Sequence, residues 1–195
     1  GAGIVSTDGL KPYVVKKRGH VCDIFDSQTL STLKGHSAIG HTRYSTTGAN
    51  TSENLQPIWM KCSLGWLGLA HNGNLVNTEK LQKELEEAGS IFQSTTDTEV
   101  IVHLMARSGE KDPEKALIAA LRRVEGAYSL LVLTEDKFIA VRDPRGFRPL
   151  VLGRLNGKSV FASETTAFDL MGATYEREVK PGEMIVIDFK NGFET

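Results

Sequence analysis

Long apolar runs, clustered cysteines and an excess of one charge sign are all missing from this sequence, and each absence removes a class of protein. No apolar stretch approaches the ~20 residues that a bilayer span requires. Gly1 is followed by no basic segment leading into an apolar signal region, so a cytoplasmic protein with no membrane contact is expected. Cys22 and Cys62 stand far apart, which argues against a disulfide framework and a paired-cysteine zinc pattern. The histidines at 20, 36, 41, 71 and 103 have no tight ligand spacing, so no metal site is expected. A formal net charge of −1 with interspersed signs gives no footprint for nucleic acid. Neither a GxSxG elbow nor a phosphate-binding GxxxxGK(S/T) loop occurs.

What is there suits one globular domain over residues 1–195, with 40% hydrophobic content to build a core and small-molecule chemistry as the natural role. Two alternating apolar segments within 2–17 flank Asp8-Gly9, which predicts a hairpin with a tight turn. Further strands are expected at 37–42, 55–61 and 65–71, with a turn near Ser63 between the last two. Helices are expected at 78–88 with Asn77 as N-cap and Gly89 beyond the end, at 97–107, and at 113–124 with Asp112 as N-cap. Strands at 127–134 and 137–142 read as a hairpin, followed by strands at 159–163 and 183–188 and a short helix at 165–171. Hairpins, then clustered helices, then hairpins again predict an α+β fold with antiparallel sheets.

Four segments carry candidate chemistry. GHTRYSTTG at 40–48 sets Arg43 beside the hydroxyls of Ser45, Thr46 and Thr47, a group able to hold a carboxylate; an exposed loop arginine with no specific contact is the alternative. HNGN at 71–74 contains the dipeptide most typical of a type I′ turn. The same geometry would let the Gly73 N–H and the Asn72 amide converge on an oxyanion. TDTE at 96–99 fits a capping box with Thr96 as N-cap and Glu99 reaching back, although Asp97 in the first turn also suits a substrate ammonium group. RDPRGFRPL at 142–150 crowds three arginines into a turn and reads as a structural tie between loops, with no nucleophile or base.

Taken in order, GAGIVS, GHTRYSTTG, AHNGNL, TDTE and RDPRGFRPL resemble the class II glutamine amidotransferases. RDPRGFRPL followed by FASETTAFDLMGATYEREVKPGE is similar to the amidophosphoribosyltransferase branch, and the likeness covers essentially the whole chain. The resemblance implies a four-layer αββα sandwich of two antiparallel sheets, of the N-terminal-nucleophile hydrolase type. It implies a domain that hydrolyses glutamine and passes ammonia to a phosphoribosyltransferase domain, making phosphoribosylamine at the first step of purine synthesis. Arg43 with Thr46 and Thr47 would hold the glutamine carboxylate, Asp97 the ammonium group, and Asn72 with Gly73 the oxyanion. In that class the nucleophile is an N-terminal cysteine on a strand that, with a helix and an HRGQE-like segment, precedes the residues matching Gly1 to Ser6. The resemblance therefore implies a chain lacking its first strand, its nucleophile and its C-terminal phosphoribosyltransferase domain, and so inactive alone; Cys22 and Cys62 match no nucleophile position. No cofactor is implied for this domain. Magnesium belongs with the transferase domain, an iron–sulfur cluster is left open, and the full enzyme is expected to be a homo-oligomer. The alternative is a non-catalytic glutamine-binding or interaction module of the same fold.

Overall fold

The computed structural model describes residues 1–43, 52–190 and 193–194. Its centre is a six-stranded antiparallel sheet made of β4 (Ile58–Cys62), β5 (Gly65–Leu75), β6 (Gly126–Leu133), β7 (Lys137–Arg142), β11 (Met184–Asp188) and β12 (Phe193–Glu194). These lie in the order β12-β11-β7-β6-β5-β4.

Strand alternation gives this sheet two apolar faces. Leu67, Leu69, Tyr128, Leu130, Val132, Ile139, Val141 and Val186 face one way. There they meet Leu81 and Leu85 of α3 (Thr78–Glu87), Val100, Ile101 and Leu104 of α4 (Asp97–Ala106), and Ala116, Leu117 and Ala120 of α5 (Pro113–Leu121). The intervening residues Trp66, Ala70, Leu133, Phe138, Ala140 and Ile185 face the other way and bury a second core.

That second core is covered by two three-stranded antiparallel pieces. One has the order β2-β1-β3, with β1 (Ala2–Thr7), β2 (Pro12–Lys17) and β3 (Ser37–Thr42). The other has the order β10-β8-β9, with β8 (Val151–Leu155), β9 (Lys158–Ala162) and β10 (Thr174–Glu178). Val5 and Ile39 from the first piece and Leu152 and Phe161 from the second share the core. Outside the second piece lies α6 (Thr166–Met171), whose Phe168 is 1% exposed. Its ring rests where a side chain on Gly153 of β8 would stand, because a Cβ there would come within 2.9 Å of Phe168 Cε2. The layers are thus helix, sheet, sheet, helix, as expected, but the second sheet is divided in two.

Several local expectations hold. Asp112 caps α5 by accepting from the N–H groups of Glu114 and Lys115, with Pro113 in the first turn. Gly89 follows the α3 C-terminus, and β6 and β7 form the expected hairpin.

Others are corrected. HNGN is no turn: it lies inside β5, and Asn72 and Gly73 pair with Ser129 and Tyr128 of β6. Asn77 occupies the N-cap position of α3 without capping it, because its side chain instead binds the Glu125 N–H and the Arg123 carbonyl. The capping box at TDTE does not form: Thr96 makes no side-chain cap, and Glu99 accepts from the N–H groups of Gln93 and Ser94. The β1–β2 connection is the wider loop 8–11, in which Asp8 Oδ1 accepts from the N–H groups of Leu10 and Lys11. Two short helices, α1 (Val21–Ile24) and α2 (Ser27–Thr32), and the strands β8 and β10 were not expected.

Candidate functional site

The strand β4 pairs with β5 only as far as Ile58 opposite Leu69. Beyond that point β5 runs on to Leu75 with β6 on one side, and its other edge faces side chains instead of a strand. The Gln56 Oε1 accepts from the His71 N–H at 2.7 Å, and Asp97 Oδ2 accepts from the Leu75 N–H at 2.9 Å. Antiparallel ladders alternate, so N–H groups two residues apart point the same way. The Gly73 N–H therefore lies on this edge, between two that side chains cap. A Cβ at Gly73 would collide with the Ala127 carbonyl oxygen and come within 2.7 Å of His71 Nε2, so only glycine fits there.

Around this edge the chain closes a ring of contacts. His41, near the end of β3, places Nε2 3.0 Å from the His71 carbonyl. The acceptor is a carbonyl, so His41 Nε2 carries the hydrogen, and burial holds this imidazole down at about 4. Two residues on, Arg43 Nη1 donates to the Asn54 carbonyl at 2.6 Å. The buried Asn54 side chain then grips Thr95, accepting from its N–H at 2.9 Å and donating to its Oγ1 at 2.9 Å. Thr95 leads directly into α4 and Asp97. Arg43 and Asp97, distant in sequence, are thereby tied to one another through Asn54.

Asp97 begins α4, where the helix dipole favours a carboxylate. Its Oδ1 lies 3.5 Å from His71 Nδ1, which is also 3.2 Å from Thr98 Oγ1. Burial pushes the Asp97 pKa up, but His71, the Leu75 N–H and the Thr98 hydroxyl outweigh it and leave the group below the usual carboxylate range. The side chain is still 20% exposed, so the ionised carboxylate retains an open side. Glu99, two residues on and so on the other side of the helix, is fully enclosed. Burial raises its pKa, but His103, the Ser94 hydroxyl and the N–H groups of Gln93 and Ser94 bring it down to about 2. It fixes the loop that carries Thr95.

Asn72 points to the opposite face of β5. Its Oδ1 accepts from Arg148 Nη2 at 2.9 Å and its Nδ2 donates to Ser163 Oγ at 3.1 Å. The turn that bears Arg148 is heavily tied. Buried Arg142 donates to the carbonyls of Gly146, Arg148 and Val179, and fully buried Asp143 accepts from the N–H groups of Arg145 and Arg148. The structural role expected for RDPRGFRPL is present, and through Arg148 it also reaches a candidate site residue.

Of the residues singled out by sequence, Arg43, Gly73 and Asp97 thus lie around one edge of β5, and Asn72 is held on the opposite face of the same strand. Thr46 and Thr47 lie outside the described residues. The sequence reading missed Asn54, Gln56 and Thr98, which do the positioning. Cys22 is exposed on α1, bonded to Asp23, while Cys62 packs on the helix-side core at the end of β4; neither joins the ring. Among the described residues, no group of three or more His, Cys, Asp and Glu side chains is placed to hold a metal. No helix among them is long and apolar enough to cross a membrane.

Compared with known families, residues 41–170 match the profile of the glutamine amidotransferase domain. The chain belongs to that family. Amidophosphoribosyltransferase 3, chloroplastic, of Arabidopsis thaliana is 51% identical over 98% of this chain and 36% of its own length. The amidophosphoribosyltransferase of Bacillus subtilis is 48% identical over 96% of this chain and 40% of its own. This glutamine amidotransferase domain thus spans about two fifths or less of those relatives. Among solved structures, the B. subtilis glutamine phosphoribosylpyrophosphate amidotransferase complexed with ADP and GMP superposes with a TM-score of 0.91 at 46% identity, covering 100% of this chain and 42% of that one. A glutamine aminotransferase class-II domain protein from Silicibacter pomeroyi shares the fold alone, with a TM-score of 0.67 at 16% identity, covering 100% of this chain and 90% of that one. The fold is therefore that of the glutamine domain of these amidotransferases, the N-terminal-nucleophile hydrolase sandwich.

Proposed function

We propose that this chain is the glutamine-hydrolysing domain of an amidophosphoribosyltransferase. It binds glutamine at the β5 edge and frees ammonia for a phosphoribosyltransferase domain of the same protein, which makes phosphoribosylamine for purine synthesis. The observation that carries this reading is the Gly73 N–H, held in line between the capped N–H groups of His71 and Leu75, beside the carboxamide of Asn72. Attack on a side-chain amide gathers negative charge on its oxygen, and two fixed donors at that point lower the barrier by about 3 kcal/mol each.

In this reading Arg43 takes the α-carboxylate of glutamine through its planar fork, and Thr46 and Thr47 supply further hydroxyl donors to it. Asp97 takes the α-ammonium group on its open side, ionised at neutral pH as its lowered pKa requires. The zwitterion at one end of glutamine thus fixes where its amide falls, so binding energy becomes orientation. The attacking thiol is neither Cys22 nor Cys62, both of which lie away from the ring. It is the N-terminal cysteine of the class, activated by its own amine. Cytoplasmic action and a homo-oligomeric parent enzyme belong to the same reading.

Two measurements test it. Calorimetry of residues 1–195 with glutamine is expected to show binding that Arg43→Ala and Asp97→Ala each weaken. Ammonia release from glutamine is expected from the full-length parent protein, and its absence there would overturn the reading.

A further inference from the structure

The Asn72 carboxamide polarises an oxygen only if its nitrogen, and not its oxygen, faces the site. A carboxamide rotated by half a turn presents an acceptor to an oxyanion and repels it. Asn72 is half-buried on β5, and its own strand does nothing to choose between the two orientations. Arg148 does. A guanidinium has donors only, so the atom of Asn72 that meets Arg148 Nη2 at 2.9 Å must be the oxygen. The nitrogen is then turned to the other side, where one of its two hydrogens reaches Ser163 Oγ at 3.1 Å and the second remains for a ligand.

An exposed arginine contact is ordinarily weak. This one differs because the backbone beneath it is held from both ends. The Arg148 N–H is bonded by buried Asp143, and its carbonyl accepts from Arg142 Nε at 2.8 Å and from the Ser129 hydroxyl. The cation also draws electron density toward Oδ1, which makes the amide hydrogens stronger donors.

We propose that Arg148 is a positioning residue that sets the polarity of the Asn72 carboxamide for oxyanion binding. The inference rests on the glutamine-hydrolysing reading above and extends it to the RDPRGFRPL turn, which becomes the support of the oxyanion donor as well as a structural tie.

The test uses the full-length parent protein and its glutamine hydrolysis. Asn72→Ala is expected to lower kcat about 100-fold, as loss of an oxyanion donor does, and Arg148→Gln about tenfold with KM changed less than about threefold. Arg148→Lys keeps a cationic donor and is expected to recover most of that loss. The double variant is expected to be no slower than Asn72→Ala alone, because Arg148 acts only through Asn72. A kcat unchanged in Arg148→Gln, or losses that multiply in the double variant, would overturn the proposal. Loss of the cooperative melt in Arg148→Gln would also overturn it, by making the residue structural.

A second readout does not depend on turnover. With asparagine-selective nitrogen labelling, the Asn72 side-chain amide pair is expected to be well dispersed in the unaltered protein and to collapse toward the free-amide position in Arg148→Gln. An unmoved pair would refute the role of Arg148. A parent protein that hydrolyses no glutamine would refute the proposed function instead, and the amide resonance would still decide the orientation.

Discussion

Asn72 and Gly73 are neighbours, yet the two sides of β5 they serve are built by different means. On the helix side, His71, Thr98 and Asp97 lie close together under the start of α4, and Gln56 and Asp97 cap the strand edge. This side is buried and short-ranged, and its carboxylate is held below the usual range. On the sheet side, the Asn72 amide lies between an exposed arginine and a serine brought from distant turns. A buried set of partners fixes position, whereas a pair of directional hydrogen bonds fixes orientation. The first should govern whether glutamine binds, and the second how fast it reacts.

The largest effect is expected from Gly73→Ala, which forces a methyl group onto the Ala127 carbonyl and His71 Nε2. Overpacking at a fixed backbone should destabilise the domain by about 3 kcal/mol and disturb the β5–β6 register, read by urea denaturation. Next comes Asp97→Asn, which keeps the shape and loses the charge. Glutamine affinity should fall about 30-fold in calorimetry, corresponding to loss of about 2 kcal/mol of charge-assisted bonding. If it lowered kcat in the parent enzyme and left affinity intact, the division between binding and orienting sides would fail.

Glu99→Gln should destabilise by about 1.5 kcal/mol, since bonds to an ionised group in the 93–94 loop become neutral ones. Its acid behaviour has a definite sign. The folded pKa, about 2, lies below the ordinary 4.5, so the stabilisation is complete above pH 4.5 and is lost as pH falls toward 2. A melting curve followed against pH should lose part of this acid limb in the variant.

The smallest effect at neutral pH is expected from His41, which is already uncharged there. Because its folded pKa of about 4 lies below the ordinary 6.5, the unfolded chain takes up the proton first, and stability should decline from pH 6.5 down to 4. His41→Gln should remove that earlier limb and leave the later one from Glu99 in place.

Much of the fold was legible where local chemistry and tertiary structure agree. Asp112 and Pro113 start α5, and the apolar run of β6 pairs with β7 as its pattern demands. Asn72-Gly73 misled because the dipeptide carries a strong local turn preference, which eleven residues of continuous strand and a partner from far along the chain override. Thr96 and Glu99 have capping-box spacing, but Thr96 Oγ1 lies by Ser94 Oγ, and Glu99 turns to the loop behind it. Arg43, Asn72, Gly73 and Asp97 were visible as residue types suited to a zwitterion and an amide. Asn54 and Gln56 were not, because a polar side chain that reaches its partner only in the folded state leaves no periodic trace.

The path of the chain from β5 to β6 has a kinetic consequence. These two strands lie side by side at the centre of the sheet, but all of α3, α4 and α5 comes between them, over residues 76–125. Closing a loop of that length costs about 3 kcal/mol of chain entropy before any contact repays it. The β6–β7 hairpin and the α4–α5 pair are local and free to form early, whereas the segment holding Asn72 and Gly73 docks only when that excursion is complete. The β5–β6 pairing beside the candidate oxyanion donors is thus expected among the later contacts to form, although β5 makes a local hairpin with β4, and substitutions in the outer helices that slow their packing should delay recovery of glutamine binding more than recovery of helical signal during refolding.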